Sequence, residues 1–357
     1  MGKSKAGSGS DGDVTNGSIP RITLEQFADA LVQGFGSGGS GKGQKERAAK
    51  DTNDNNRTGD ASTSNSTVTV AQWTDNSQVF LLHFQSAWRQ RDAMGRASIF
   101  LEDLDLHGCV PEFIPSGQRG GVANYSGHNM RVDDLCTFLN LLQVEKPGGK
   151  GVNESEKGMV DALVRANVMR VDKTSGEYFV VGDGKKNSSM GSYSEEYSEY
   201  SYQAPNISGS AIAAVAGSSD KTEVKAAVLH EAMHMVFYCD SLFSQKCYEF
   251  WEEDVSDAEK LVWITFLKDL RYNVLDKELV VNEFQAYMCT ERQMFGGGFR
   301  DGGGGGGGKS QKKGKSKSND DSSDDALSSL QKRFALKAKE WVPYPPSVGD
   351  SCKVVWQ

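Results

Sequence analysis

Hydrophobic and polar residues follow two different periods along the chain, and these periods predict its secondary structure. Short apolar or alternating runs predict strands at 68–73, 178–181 and 207–217. Apolar residues at helical spacing predict a larger number of helices. The predicted helices span 78–106, 128–142, 155–171, 224–238, 256–272, 276–291 and 326–341. We therefore expect an α+β fold that is mostly helical and carries a small β-sheet.

Two helix starts are marked by side chains that cap the first turn. Thr23 and Gln26 have the spacing of a capping box and open a short amphipathic helix at about 19–35. Ser256 and Glu259 have the same spacing before the predicted helix at 256–272. We expect the first of these helices to dock on the folded region, with a detached recognition helix as the alternative.

Polar low-complexity tracts divide the chain into four regions. Residues 1–67 form an N-terminal low-complexity region that contains the short helix, and residues 68–295 form the folded domain. Residues 296–325, rich in Gly, Lys and Asp, read as a disordered insertion, as do residues 187–206 inside the domain. Residues 326–357 form a last helix and an extended tail, which complete the domain.

Composition excludes several classes of protein. The net charge of the 357 residues is −8 and the predicted folded part has no continuous basic face, so no nucleic acid is expected as a partner. No run approaches about 18 apolar residues, and the N-terminus lacks the apolar core of a signal peptide. The six cysteines form no C-x-x-C pair. We expect a soluble cytoplasmic protein of undetermined oligomeric state.

The candidate chemistry begins in the apolar stretch at 224–238, which contains His230, Glu231 and His234 in the spacing H-E-x-x-H. On a helix, positions i and i+4 lie on the same face, so the two imidazoles can converge on one point. That geometry suits Zn²⁺, which binds neutral histidine at about 2.0–2.1 Å. Glu231 then stands beside the metal, where its carboxylate can take a proton from a zinc-bound water.

The simpler alternative is that these are two core histidines with a glutamate between them by chance. A buried glutamate without a charged partner is energetically expensive, and a metal would remove that difficulty. A zinc site also needs a third protein ligand. Glu283, in the middle of the apolar helix predicted at 276–291, is our candidate; the alternative is an ordinary ion pair at a helix edge.

The H-E-x-x-H helix followed by Asn282-Glu283 on a later helix resembles the gluzincin metallopeptidases, the thermolysin-like group and its aminopeptidase relatives. The resemblance implies a zincin-like catalytic domain in which His230, His234 and Glu283 hold Zn²⁺. It implies hydrolysis of peptide bonds through a metal-activated water, with Glu231 as general base. Where thermolysin-like enzymes place an Asp near a ligand histidine, this chain has Tyr287, whose hydroxyl could accept from that histidine.

Two parts of the expected mechanism stay open at this stage. The group that stabilises the oxyanion could be Tyr287, Tyr238, His128 or Arg131. Arg131 could also bind a peptide carboxylate, or pair with Asp134 near a helix start. In zincins an edge strand beside the active helix pairs with extended substrate, and 207–217 and 178–181 are the two candidates for it.

The substrate class is a peptide or protein. No G-x-M-E-N signature is present to anchor a free N-terminus, which favours an endopeptidase. The alternative function is a non-catalytic zincin-like binding or scaffolding module with a structural or degenerate metal site. The intact Glu231 argues against that alternative, because a structural site has no use for a general base.

Overall fold

The computed structural model describes residues 19–36, 68–115, 121–146, 151–181, 210–291 and 321–356. The strands in these ranges are β1 (Arg21–Ile22), β2 (Thr69–Trp73), β3 (Val79–His83), β4 (Gly127–Arg131), β5 (Met169–Val171), β6 (Tyr178–Val180) and β7 (Ala211–Val215). The helices are α1 (Leu24–Gly36), α2 (Ala87–Glu102), α3 (Val132–Glu145), α4 (Glu154–Arg165), α5 (Lys221–Cys239), α6 (Ser241–Glu253), α7 (Asp257–Asp269), α8 (Lys277–Thr290) and α9 (Asp321–Trp341). Helices and a small sheet together make an α+β fold, as predicted. The tracts 1–18, 37–67, 187–206 and 296–320 lie outside the described residues, so their predicted disorder stays a prediction.

Five strands form one mixed sheet in the order β1-β2-β3-β7-β4. The pairs β1–β2 and β3–β7 are parallel, whereas β2–β3 and β4–β7 are antiparallel. Strands β5 and β6 form a separate antiparallel pair. The predicted strands at 68–73, 178–181 and 207–217 correspond to β2, β6 and β7.

The sheet separates two layers of helices because the central strands are apolar on both faces. Val79, Leu81 and Ala213 pack in the core that includes α1 and α5 to α9. Phe80 and Leu82 face the opposite core, built by α2, α3 and α4. Strands buried on both faces read as continuous apolar runs without alternation.

This double burial explains one wrong prediction. The segment 78–106 was expected to be a single helix, but its first part is β3, and α2 begins only at Ala87, after Ser86. A short apolar run has no period that distinguishes a buried strand from a buried helix. The segment 155–171 divides in the same way: α4 ends at Arg165 and 169–171 is β5.

The edge of the sheet was also predicted wrongly. The helix expected at 128–142 begins as β4, and α3 starts at Val132. Strand β7 lies inside the sheet between β3 and β4, and β6 belongs to the two-stranded sheet, so neither candidate is the edge beside the H-E-x-x-H helix. That position belongs to β4, which in the described part of the chain pairs only with β7.

Two buried helices carry the candidate chemistry, and each begins at an aspartate cap. Asp220 accepts hydrogen bonds from the amides of Thr222 and Glu223 at the start of α5. Asp276 accepts from Glu278 and Leu279 at the start of α8. These caps satisfy backbone donors that a helix start leaves free. Helix α5 packs against β7, β4 and α8, so its H-E-x-x-H face lies between the sheet edge and α8.

Helix α1 docks on α5, as expected. Leu24, Phe27 and Leu31 are buried in the core that α5 shares, and the Thr23–Gln26 capping box forms in both directions. An ion pair between Lys221 and Asp29, with Nζ 2.7 Å from Oδ1, joins the two helices at their surface. The short N-terminal helix therefore belongs to the same core as the predicted domain.

The C-terminal part closes the same core. Helix α9 begins at Asp321, five residues inside the tract predicted as insertion. Phe334 of α9 packs edge-on against Phe250 of α6 and Phe284 of α8, with ring centroids 5.1 and 5.2 Å apart. The tail returns along α8, where the amide of Val355 donates to the carbonyl of Cys289. None of the helices described is both long and apolar enough to span a bilayer.

Replacement of Phe27 by alanine tests the docking of α1. Phe27 is 2% exposed, so Phe27→Ala should lower the free energy of unfolding by about 3–5 kcal/mol. The measurement is chemical denaturation of the full chain. Gln33→Ala, at an exposed position of the same helix, should change it by less than about 0.5 kcal/mol. Equal, small effects of both substitutions would mean that α1 is not part of the core.

Candidate metal centre

Three side chains from α5 and α8 converge on one point. The Nε2 atoms of His230 and His234 lie 3.2 Å apart. Glu283 Oε1 lies 3.7 Å from His234 Nε2, and Glu283 Oε2 lies 3.9 Å from His230 Nε2. One ligand atom from each residue falls within 4.8 Å of the others, so the group could hold a metal ion.

The hydrogen bonds of the other ring nitrogens fix how the histidines are protonated. His234 Nδ1 lies 3.0 Å from Asn282 Oδ1, and His230 Nδ1 lies 3.2 Å from Thr290 Oγ1. The Thr290 hydroxyl already donates to the carbonyl of Ala286, so it accepts from His230. Both Nδ1 atoms therefore carry the proton, and both Nε2 atoms present lone pairs. Two lone pairs 3.2 Å apart cannot bond each other, but they can share a cation.

Burial makes all three groups favour their uncharged forms when no cation is bound. Burial, and the neighbouring His234, lower the pKa of His230 well below its usual value. Burial lowers the pKa of His234 to about 4, against the opposing bond to Asn282. Burial and the nearby carboxylates raise the pKa of Glu283 well above its usual value, against an opposing hydrogen bond from Tyr272. Its buried Oε2 has no hydrogen-bond partner. A bound metal would satisfy this carboxylate and use both neutral imidazoles.

Glu231 points from α5 to the edge strand β4 instead of the histidine pair. Asn129 Nδ2 donates to Glu231 Oε2 at 2.7 Å. Gly127, two residues earlier on β4, leaves the space that the carboxyl group occupies: a Cβ there would overlap Oε1 and lie 2.5 Å from Cδ. Burial raises the pKa of Glu231 to about 7, although the bond from Asn129 acts in the opposite direction.

These groups open into a cleft of about 270 Å³ between β4, α5, α8 and the end of α2. Among the described residues its wall contains five glutamates and no lysine or arginine. The residues of the wall are Glu102, Tyr125, Ser126, Gly127, His128, Asn129, Glu223, Ala226, Ala227, His230, Glu231, His234, Tyr272, Glu283, Tyr287 and Glu291. The cleft is therefore acidic and rich in tyrosine.

Tyr287, the first of the four predicted auxiliary residues, lines the cleft beside a candidate ligand. Its ring lies edge-on to the His230 ring, with centroids 4.8 Å apart and planes at 83°. This is an aromatic contact, and Thr290 fills the acceptor role that was expected for the Tyr287 hydroxyl. Burial and the nearby Glu283 raise the pKa of Tyr287, so it is a neutral phenol in the cleft.

His128 borders the cleft, but its ring is directed into the other core. Side chains alternate along a strand: Gly127 and Asn129 face Glu231, so His128 and Met130 face α2. His128 Nδ1 lies 3.0 Å from the hydroxyl of Ser98 in α2. Burial lowers the pKa of His128 to about 4. The structure thus places it as a neutral core histidine and not beside the candidate ligands.

Arg131 and Tyr238 lie together outside the described wall of the cleft. The Arg131 guanidinium stacks over the Tyr238 ring at 4.6 Å and forms an ion pair with Glu278 of α8. The expected pair with Asp134 is present at 3.8 Å, but Glu278 is the closer partner. Because its charge is engaged by these groups, Arg131 joins β4 to α5 and α8 instead of facing the candidate metal.

The residues that β4 and the end of α8 contribute to the site were not predicted from the sequence. Gly127 was expected at the end of a loop and Asn129 in a helix, so their placement on one face of a strand was not predicted. Thr290 lies seven residues after Glu283, two turns along the same helix face, so a helical projection of α8 could have found it. Asn282 precedes Glu283 directly, and its contact with His234 has no signal in the spacing alone.

Comparisons with known proteins leave the site to be interpreted from its own geometry. No protein-family model matches the chain, and no curated protein or solved structure matches it either.

Gly127→Ala should displace the Glu231 carboxyl group. Because the new methyl group would overlap it, we expect a loss of about 1–3 kcal/mol in the free energy of unfolding. Denaturation should show that the same change is nearly neutral in a Glu231→Ala background, where the overlapping atoms are gone. If Gly127→Ala costs the same in both backgrounds, the two residues are not in contact.

Thr290→Val should weaken metal binding by removing the acceptor of the His230 proton. Loss of a hydrogen-bond partner to a ligand histidine typically lowers affinity about 10–100-fold, and competition with a chelator, with Zn²⁺ as the probe, measures it. Glu283→Ala, which removes a candidate ligand, should lose more. Thr265→Val is the matched control, since Thr265 also donates to a carbonyl one turn earlier but contacts no histidine. Equal affinities for all four proteins would contradict the site.

Proposed function

We propose that this chain is a zinc metallopeptidase with a zincin-like domain, similar to the gluzincins, that hydrolyses peptide bonds. The single observation that carries the proposal is the convergence of two unprotonated Nε2 atoms and the Glu283 carboxylate, with a second carboxylate, Glu231, held separately in the same cleft. A purely structural site would not need that second carboxylate.

The donor set fits zinc. Two imidazole nitrogens and one carboxylate are the three-ligand set of many catalytic zinc sites, which keep the fourth position open. Zinc–nitrogen bonds of about 2.0–2.1 Å in a tetrahedron place neighbouring donor atoms about 3.3 Å apart, and the two Nε2 atoms lie 3.2 Å apart. When bound, the ion would supply a Lewis acid that polarises a carbonyl and activates water.

Glu231 is the general base in this proposal. Asn129 holds one carboxylate oxygen and the missing side chain at Gly127 leaves room for the other. A carboxylate held in this way can take a proton from the attacking water and pass it to the leaving amine. The position of the Glu231 carboxyl group is therefore set by residues of β4, and not by the candidate metal ligands.

Strand β4 also gives the proposal a place for the substrate. Among the described strands it is the edge that lies next to Glu231, so an extended peptide could pair with its free main-chain groups. Such pairing supplies affinity without strong sequence selectivity, and it requires no free terminus, so it accommodates internal peptide bonds. We propose an endopeptidase on this basis.

Glu231→Gln tests the mechanism. We expect about one equivalent of zinc in both wild type and variant, but a loss of hydrolysis of about 10²–10⁴-fold in the variant because the proton acceptor is gone. Cleavage of a mixed peptide pool, followed by mass spectrometry, measures the rate without assuming a substrate. Chelation of the metal should abolish the wild-type activity and added zinc should restore it.

Glu253→Gln, an exposed substitution on α6, serves as the control and should leave the rate unchanged. Activity of Glu231→Gln at the wild-type rate would remove the proposed mechanism. Wild-type protein that holds zinc but cleaves nothing in the pool would favour the non-catalytic binding or scaffolding module.

A further inference from the structure

Glu102, at the C-terminal end of α2, is a carboxylate in the cleft that the proposed mechanism does not use. Among the described residues no hydrogen bond or ion pair reaches its side chain. Its neighbour Asp103 shows the contrast: the Asp103 carboxylate accepts from the amides of Asp105 and Leu106 and lies 3.7 Å from Arg271. Asp103 Oδ1 is thus engaged by its own turn and by Arg271, whereas Glu102 lines the cleft without a hydrogen-bond or ion-pair partner among the described residues.

All charged groups that act strongly on Glu102 are negative. Glu231, Asp276 and Asp134 each disfavour its ionised form, and Glu283 and Glu102 repel each other. The described cleft wall contains no lysine or arginine to offset these charges. A partly buried carboxylate in such surroundings lacks a cation. Two arginines of the surrounding elements are engaged by other carboxylates, Arg131 by Glu278 and Arg271 by Asp105.

Two tyrosines of the same wall add a second feature that favours a cation. The rings of Tyr125 and Tyr272 lie with centroids 5.4 Å apart, and both line the cleft with Glu102. The Tyr125 hydroxyl donates to the carbonyl of Leu270, which holds its ring in place. Aromatic faces are negative and attract ammonium and guanidinium groups, so rings and carboxylate favour the same kind of ligand.

We propose that Glu102, together with Tyr125 and Tyr272, binds an ammonium or guanidinium group of the substrate and makes the cleft selective for cationic peptides. This inference rests on the proposed peptidase function and names its substrate class. The cation could come from a lysine or arginine side chain or from a free N-terminus. Tyr272 also hydrogen-bonds the candidate ligand Glu283, so the test varies Glu102, which is not a candidate ligand, and the two proposals can fail separately.

Binding to a protein that cannot turn over its ligand tests the proposal. Zinc-loaded Glu231→Gln protein is titrated with pairs of short N-acetylated peptides that differ in one residue, lysine against norleucine. We expect the lysine peptide to bind at least about tenfold more tightly, as a hydrogen bond to a charged group contributes. In the double variant Glu231→Gln/Glu102→Gln the two peptides should bind equally, while the zinc content is unchanged and the denaturation midpoint does not fall.

Two further arms complete the experiment. Glu154→Gln removes the same charge from an exposed position outside the cleft and should keep the preference for lysine. A norleucine peptide with a free N-terminus identifies the second source: if it binds as tightly as the acetylated lysine peptide and depends on Glu102, the cation is the terminal amine.

The outcomes separate this inference from the peptidase function. A preference for lysine that survives Glu102→Gln, or no preference for either cation source, overturns the role of Glu102. Hydrolysis of neutral peptides by the wild type would leave the proposed peptidase intact in that case. Conversely, cation binding that depends on Glu102 in a protein that cleaves no peptide would keep the subsite and remove the peptidase.

Discussion

The structure of the site depends on two histidine nitrogens of α5 that lie 3.2 Å apart, facing α8, and cannot bond each other. Both rings donate their other N–H to a neighbour, so neither nitrogen can donate to its opposite. The Glu283 carboxylate completes the group in a buried position, where an unpaired charge costs several kcal/mol. Such an arrangement is unfavourable by itself and becomes favourable when a cation binds, so metal binding should also stabilise the folded chain.

Strand β4 connects this group to the rest of the sheet because its two faces serve different purposes. On one face Gly127 and Asn129 shape the position of Glu231, and Arg131 joins the strand to α5 and α8. On the other face His128 packs against α2 through Ser98. The alternation of side chains along the five residues of β4 thus separates those that face Glu231 from those that pack in the core. A helix assigned to the same residues would not show this separation.

The sequence was sufficient where chemistry depends on spacing along one helix, and insufficient where it depends on pairing between segments. The i,i+4 spacing placed His230 and His234 on one face of α5, and Glu283 lies opposite them on the predicted later helix. In contrast, β3 and β4 were read as helix, because a strand buried on both faces has no alternation and a five-residue strand carries little periodic signal. Without β4, the positions of Gly127 and Asn129 beside Glu231 could not be inferred.

The cleft contains two separate groups of side chains that lack a positive partner: the candidate metal ligands and Glu102. The described wall of the cleft contains no lysine or arginine, and two arginines of the surrounding elements pair with other carboxylates, Arg131 with Glu278 and Arg271 with Asp105. A metal between His230, His234 and Glu283 would be the positive partner of the first group, since those atoms lie within 4.8 Å of one another. Glu102 does not belong to that group, although its charge acts on both Glu231 and Glu283. Its carboxylate would therefore still lack a direct partner with the metal in place. Because the described wall of the cleft has no lysine or arginine, that partner would have to be a cationic group of a ligand.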